Sequence, residues 1–417
     1  MPDATTLGAG FTDIASTSEE VQVYQLNAVT DMWEPKGSPM VSGTDADLGS
    51  TIDMPSSDTI IAGASGFPNG YGGVAWGYVR VMDYDGVDWV DRTPPIIRVG
   101  EDLAFIGRTV RMPSVNTMAY DVQALSVPNG LFGGIEVYDW DGQQWNLRGA
   151  KILMSDELFP ASFDLPTVDT VGYVDGNLGQ FSVRQWDGSN WSLKGTPAVS
   201  NNGGYSLKMP DEDTILITGS NGNANLTYPG SFVVMRWDGT SWQQKGSIIS
   251  GSSDYQRLGQ SATMPDANTV FVSSRTGNSV RKFTYSGTDW IEQDLNNLGI
   301  FIDDRSAVGA FSSDVFAVGS VYTNNPIKVY NLALLSVDDT VLSSIKIYPN
   351  PTDSDIHLEW DHESFLEVEV YSIDGRQLSI QMLEGTDKRI KLPQSSGIYM
   401  LSVSNETGSA KFKVVKR

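Results

Sequence analysis

The 417-residue sequence predicts an all-β chain: a ring of seven small sheets, then one compact sandwich. Two phrases that recur in alternation predict the ring. A change of composition near residue 340 predicts the sandwich.

The first phrase is Asp85-Gly86-Val87-Asp88-Trp89. It returns as Asp141-Gly142-Gln143-Gln144-Trp145, Asp187-Gly188-Ser189-Asn190-Trp191 and Asp238-Gly239-Thr240-Ser241-Trp242, with Ser286-Gly287-Thr288-Asp289-Trp290 as a worn copy. An alternating run precedes each copy, such as Ile135-Glu136-Val137-Tyr138-Asp139-Trp140. Period-two alternation, a Gly-containing turn, then Trp on another short strand is a β-hairpin.

The second phrase is Met54-Pro55-Ser56-Ser57-Asp58-Thr59. It returns from Met112, Leu165, Met209 and Met264, with an early copy at Met1-Pro2-Asp3 and a degenerate last one at Ala310. Pro suits the second position of a tight turn, and Asp or Asn suits its exit. Apolar runs such as Thr214-Ile215-Leu216-Ile217-Thr218 follow, as expected of a buried inner strand.

Each unit therefore reads as strand, Met-Pro turn, strand, variable loop, strand, Asp-Gly turn, and a fourth strand with Trp. The third strand also has seven copies, from Val21, Val79, Ile135, Phe181, Phe232, Ser279 and Ile327. Four antiparallel strands repeated seven times make a seven-bladed β-propeller over residues 1–335. Blade 1 lacks its first strand and blade 7 its fourth, which are consecutive across the ring seam. With Met1 in register with the repeat methionines, this predicts a natural start further upstream. The same expectation accounts for the lack of a basic start and apolar stretch typical of a signal peptide. The units resemble FG-GAP-like propeller repeats of integrin-type and bacterial surface proteins. Leu48-Gly49 stands where that family has Phe-Gly, and Gly63-Ala64-Ser65 where it has Gly-Ala-Pro.

Residues 336–344 read as a linker. From 345 to 417 the Trp phrase stops and short strands predict a small Ig-like β-sandwich, at 356–360, 366–371, 377–381, 388–392, 397–403 and 410–415. This segment resembles the type A C-terminal sorting domain of type IX secretion cargo. The matching residues are Tyr348-Pro349-Asn350-Pro351, Asp374-Gly375-Arg376, Gly397 with Tyr399, and Lys413 with Lys416. The resemblance implies export across the outer membrane and a partner in the type IX machinery. It also implies secreted or cell-surface localisation after a signal-directed first step.

The net charge is −23, of which residues 1–342 carry −21. So acidic a surface repels nucleic acid and anionic membrane. There is no Cys, which excludes thiol catalysis and Cys-ligated zinc. His357 and His362 both lie in the tail, so residues 1–342 have no His base or ligand. No apolar run approaches the roughly 20 residues of a membrane span.

Asp83-Tyr84-Asp85-Gly86 invites a calcium reading. A calcium loop needs about six oxygens, and the first Asp is lost at Gln185 and Arg236. The turn alone accounts for Asp-Gly, so no cofactor or metal is assigned. The phrase also echoes the Asp-box of sialidases, without the residue between Asp and Gly and without an Arg cluster.

Function is expected on the variable loops at 65–77, 128–134, 220–230 and 246–258, because loops on a rigid scaffold carry function. They bear Phe67, Tyr71, Trp76, Phe132, Tyr228 and Tyr255 beside Asn and Asp. This points to non-catalytic capture of an extracellular glycan or protein. The alternative is a secreted polysaccharide hydrolase or lyase with acidic catalysts on the same face. A third reading is an adhesion or coat protein without a discrete ligand.

Overall fold

The computed structural model describes all residues except 12–18, 31, 42–46, 66–76, 98–103, 125–132, 154–161, 176–179, 201–203, 205, 220–228, 254–255, 275–278, 294, 296–306, 320–326, 333–344, 360–365, 374, 384–387 and 406–407. Two compact units emerge, Met1–Val329 and Tyr330–Arg417. The expected linker, 336–344, lies outside the described residues.

The chain is all-β, and its first unit is a β-propeller built of consecutive antiparallel sheets. Sheet 2 shows the pattern. Its strands are Leu48–Ser56, Thr59–Ala64, Tyr78–Tyr84 and Trp89–Asp91, in that order across the sheet. Sheets 3 to 6 repeat it. Sheet 1 begins with Thr6–Phe11, and sheet 7 has three described strands, Ala307–Ala310, Val315–Gly319 and Ile327–Asn331.

The second strand is the most buried. All six residues of Thr59–Ala64 and all five of Thr214–Thr218 are buried. They are sandwiched between two neighbouring sheets, so the apolar run needs no polar alternation. The cores lie between sheets, not within them. Val21 and Val23 of sheet 1 pack with Met54 and Ile60 of sheet 2, and Ile61 and Val81 of sheet 2 with Met118 and Tyr120 of sheet 3. The same face-to-face packing continues through sheet 6, and Phe271 stacks on Phe316 of sheet 7 at 4.7 Å. First strands of neighbouring sheets also pack on one another in chain order, which places them innermost.

Two expectations about the repeat change. The Met-Pro pair is not in the turn. Asp53 pairs with Ile61 and Ser56 with Thr59, so the turn is Ser57-Asp58 and Pro55 sits in a bulge of the strand before it. A bulge suits Pro because it leaves a residue unpaired, and Pro has no N–H for the ladder. The Met beside it is buried between sheets. The second change concerns the fourth strand, which is split. After Trp89–Asp91 the chain bulges out and returns as Ile96–Ile97, pairing again with the third strand. The loop expected at 246–258 likewise contains a short strand, Ile249–Ser250.

The split has a purpose at the sheet boundary. The residue after the first half is basic: Lys36, Arg92, Arg148, Lys194 and Lys245. Lys194 inserts into sheet 5. Its Nζ donates to Glu212 O at 2.9 Å and pairs with Asp213 at 2.5 Å, and lies 5.8 and 5.9 Å from the rings of Trp237 and Trp242. Trp242 Nε1 donates back to Lys194 O at 3.0 Å. Lys36 does the same with Asp58, Tyr84 and Trp89, and Lys245 with Asn268, Tyr285 and Trp290. Arg148 reaches Asp169 and Trp186, and its carbonyl accepts Trp191 Nε1. Cation, ring pair and indole N–H thus fasten sheet 1 to 2, 3 to 4, 4 to 5 and 5 to 6.

The Trp of each clasp is held by the Asp-Gly hairpin. Trp186 and Trp191 face each other across the strands with centroids 5.3 Å apart, and the other four copies lie between 5.2 and 5.4 Å. The hairpin loop is four residues, closed by Asp187 N donating to Asn190 O. Asp187 Oδ1 accepts the N–H groups of Ser189 and Asn190, which lowers its pKa. Ser286 fills this role in the worn copy through its hydroxyl.

Gly195 follows Lys194 at φ 78°, and a Cβ there would lie 2.5 Å from Trp237. Gly195→Ala is expected to cost about 2 kcal/mol or more, from strain at positive φ and the clash. Gly309→Ala, whose Cβ meets nothing within 4 Å, serves as the control and stays near neutral. Urea unfolding midpoints of the two variants check this, and equal midpoints would refute the clasp geometry.

Candidate functional site

The tail unit has two antiparallel sheets. One orders Lys346–Tyr348, Ile356–Glu359 and Lys388–Ile390. The other orders Gln377–Leu383, Leu366–Ser372, Gly397–Asn405 and Gly408–Lys416. Ile356, Leu358, Val368, Val370, Leu401 and Val414 fill one common core. Alternation on Leu366–Ser372 explains the facing: Leu366, Val368 and Val370 point inward, while Glu367 is exposed.

Residues of the sorting resemblance come from four separate stretches; the structure brings Asn350, Gly375, Arg376, Gly397, Tyr399, Lys413 and Lys416 towards one end of the larger sheet, while Tyr348 ends a strand of the smaller one. Ser372 pairs with Tyr399, and Gly397 pairs with Lys416. The turn after Ser372 therefore lies at the same end of the sheet as the end of the last strand, with Gly397–Asn405 between them. Gly375 takes φ 84° there, and Arg376 O accepts the Ser372 N–H at 2.9 Å. Asp374 lies outside the described residues.

Asn350 is the joint of this end. Its Nδ2 donates to Lys413 O at 2.7 Å, and its Oδ1 accepts Val415 N–H at 2.9 Å. Thr352 continues the pairing: its N–H donates to Val415 O and its carbonyl accepts Arg417 N–H. The segment after Tyr348 thus covers the outer edge of the last strand, an edge that would otherwise offer unpaired backbone to any strand nearby. Lys416 Nζ donates to Pro393 O at 2.7 Å, and Tyr399 OH to Ser395 O at 2.8 Å. Tyr348 stacks on His357 at 6.0 Å and stays half exposed. Arg376, Lys413 and Arg417 are exposed. The backbone of this end is thus locked by side-chain and main-chain hydrogen bonds, with three basic side chains left exposed on it.

The six loop aromatics, Phe67, Tyr71, Trp76, Phe132, Tyr228 and Tyr255, lie outside the described residues. The connections that carry them leave from one end of the sheets. Turns between first and second strands have two residues in sheets 2 to 6, and those between third and fourth strands have four. The connections between second and third strands range from four residues, 176–179, to thirteen, 65–77. Antiparallel order puts the uniform turns at one end and the variable connections at the other. Among the described residues no group of three or more His, Asp or Glu is placed to hold a metal ion. No described helix is long and apolar enough to cross a membrane.

The basic residue of the clasp was not singled out in the sequence. It stands three positions after Trp33, Trp89, Trp145, Trp191 and Trp242, and a Gly follows it in four of these five copies. That spacing was the available signal.

Residues 346–417 match the family of secretion system C-terminal sorting domains. The tail is such a domain, and it implies export by the type IX system to the cell surface or beyond. No curated protein matches the chain. Among solved structures, a protein from Lactobacillus plantarum is similar over 93% of this chain and 99% of its own, with TM-score 0.54 and 11% identity. A proposed 6-phosphogluconolactonase from Bacteroides uniformis is similar over 78% and 91%, with TM-score 0.53 and 11% identity. At that identity the likeness is one of fold: this is a β-propeller bearing a secretion sorting tail.

Asn350→Ala leaves Lys413 O and Val415 N–H without their partner. Amide exchange at Val415 is expected to quicken by about ten-fold or more, the range of one lost hydrogen-bonded pair. Unchanged exchange would show that Asn350 does not hold the strand.

Proposed function

We propose that this protein is a secreted or surface-displayed propeller that binds an extracellular glycan or protein without catalysis. The observation that carries the reading is the contrast between the two ends of the sheets. At the uniform end, turn length is constant and the Asp residues are spent on backbone N–H groups. At the variable end, length and composition change from sheet to sheet, and the aromatics fall there. Clasped sheets supply a scaffold, and binding is left to the connections.

Phe67, Tyr71, Trp76, Phe132, Tyr228 and Tyr255 are the proposed contacts. Flat rings beside Asn and Asp suit the faces and hydroxyls of sugars, or an extended peptide. The FG-GAP-like resemblance, known from adhesive surface proteins, favours the same role. The sorting tail puts such a surface where extracellular polymers are met.

A glycan array probed with the purified chain tests this. Binding without release of reducing sugar is expected, with Trp76→Ala weakening it by about ten-fold. Release of reducing sugar would replace the binding reading with a hydrolase or lyase. Silence on the array, combined with no retained protein from the extracellular matrix, would leave only a coat role and overturn the proposal.

A further inference from the structure

The larger sheet of the tail has two edges, and the fold treats them differently. At the Gly408–Lys416 edge the segment from Asn350 to Thr352 covers the backbone, and Lys411, Lys413 and Lys416 lie along the strand. The opposite edge is Gln377–Leu383, which pairs with Leu366–Ser372 and has no described strand on its outer side. It carries no charged residue. Natural sheet edges are blunted by charge, Pro, bulges or a cover. This one has a single bulge at its start, where Tyr371 pairs with Gln377 and Val370 with Ser379. From Ser379 to Leu383 the ladder is regular.

Its side chains also face the wrong way for a free edge. Ser379 and Gln381 stand opposite Val370 and Val368, on the inward face. Gln381 is tied there: its Nε2 donates to Lys391 O at 2.9 Å, and its Oε1 accepts Lys391 N–H at 2.8 Å. Alternation then sends Ile380 and Met382 to the outer face, where they are 58% and 60% exposed, with Leu378 exposed before them. The neighbouring strand shows the ordinary arrangement, with Glu369 and Glu367 opposite Ile380 and Met382.

An apolar row on an uncharged, unpaired edge fits a partner strand with the same two properties, and the strand matches itself. Antiparallel pairing of two copies about Ile380 sets Ile380 against Ile380, and Leu378 of one protomer against Met382 of its partner, on the outer face. Ser379 then meets Gln381 on the inner face. In sequence, Arg376 precedes the strand and Glu384, outside the described residues, follows it. The same pairing brings the basic end of each copy beside the acidic end of the other. We propose that Gln377–Leu383 is a homodimer interface, in which two copies of this chain join their larger tail sheets edge to edge about a two-fold axis beside Ile380. The interface is separate from the variable connections and does not depend on what they bind.

Sedimentation equilibrium of the full chain over a range of concentrations tests this, and a reversible monomer–dimer equilibrium is expected. Ile380→Lys, at an exposed position, is expected to weaken the dimer by about ten-fold or more while leaving the far-UV circular dichroism unchanged. Val29→Lys, 94% exposed in a turn of sheet 1, is the control and leaves the dimer unchanged. The chain has no Cys, so a single introduced one reports the register. Ile380→Cys is expected to cross-link two copies under mild oxidation, because directly opposed residues of antiparallel strands lie within disulfide reach. Glu369→Cys, one strand further out on each side and so about 14 Å from its copy, is expected not to. A chain that stays monomeric at every concentration would leave the edge to a strand of another protein and overturn the pairing. So would a dimer that Ile380→Lys leaves intact, or one that Ile380→Cys fails to cross-link.

Discussion

Contact between one sheet and the next is the constraint on which the propeller depends. No sheet here has a core of its own, because its buried faces are completed by its neighbours. Apolar burial brings the sheets together but is non-directional. The clasp adds direction. A basic side chain crosses the boundary, lies against two rings, and ends on the turn of the next sheet, while an indole N–H returns to its backbone. The rings exclude water from the cation, and the turn carbonyl and carboxylate satisfy its donors.

Exceptions to the clasp follow from the same chemistry. Thr93 replaces the Gly after Arg92 and does not take the left-handed conformation. Trp145 Nε1 then finds no acceptor among the described residues, although Arg92 still lies 5.5 Å from its ring. Arg92 compensates with two bonds to Asp83 in its own sheet. At the boundary of sheets 6 and 7 a different base does the work: Lys282, on a third strand, reaches Asp314 at 3.6 Å over the ring of Phe271.

Much of this was legible in the residues, and the failures are physical. Repetition revealed the strands, since Asp-Gly before Trp and an apolar run after Pro are local signals. Pro55 was misplaced because a bulge and a turn make the same demand on it, an absent N–H. The split fourth strand was hidden because Lys194-Gly195 reads as ordinary loop; its meaning lies in Trp237 and Trp242, more than forty residues away. In the tail, Asn350 was recognised through a motif, yet its role as partner of Lys413 and Val415 is a long-range fact. The loop aromatics rest on composition alone.

A double-mutant cycle between Lys194 and Trp237 tests the central claim most directly. Equilibrium unfolding of Lys194→Met, Trp237→Leu and the pair isolates the term that belongs to their contact. The account predicts a favourable coupling of about 0.5–2 kcal/mol. A coupling of zero, with the two single losses simply adding, would mean that the ring does not hold the cation and would contradict the clasp as described.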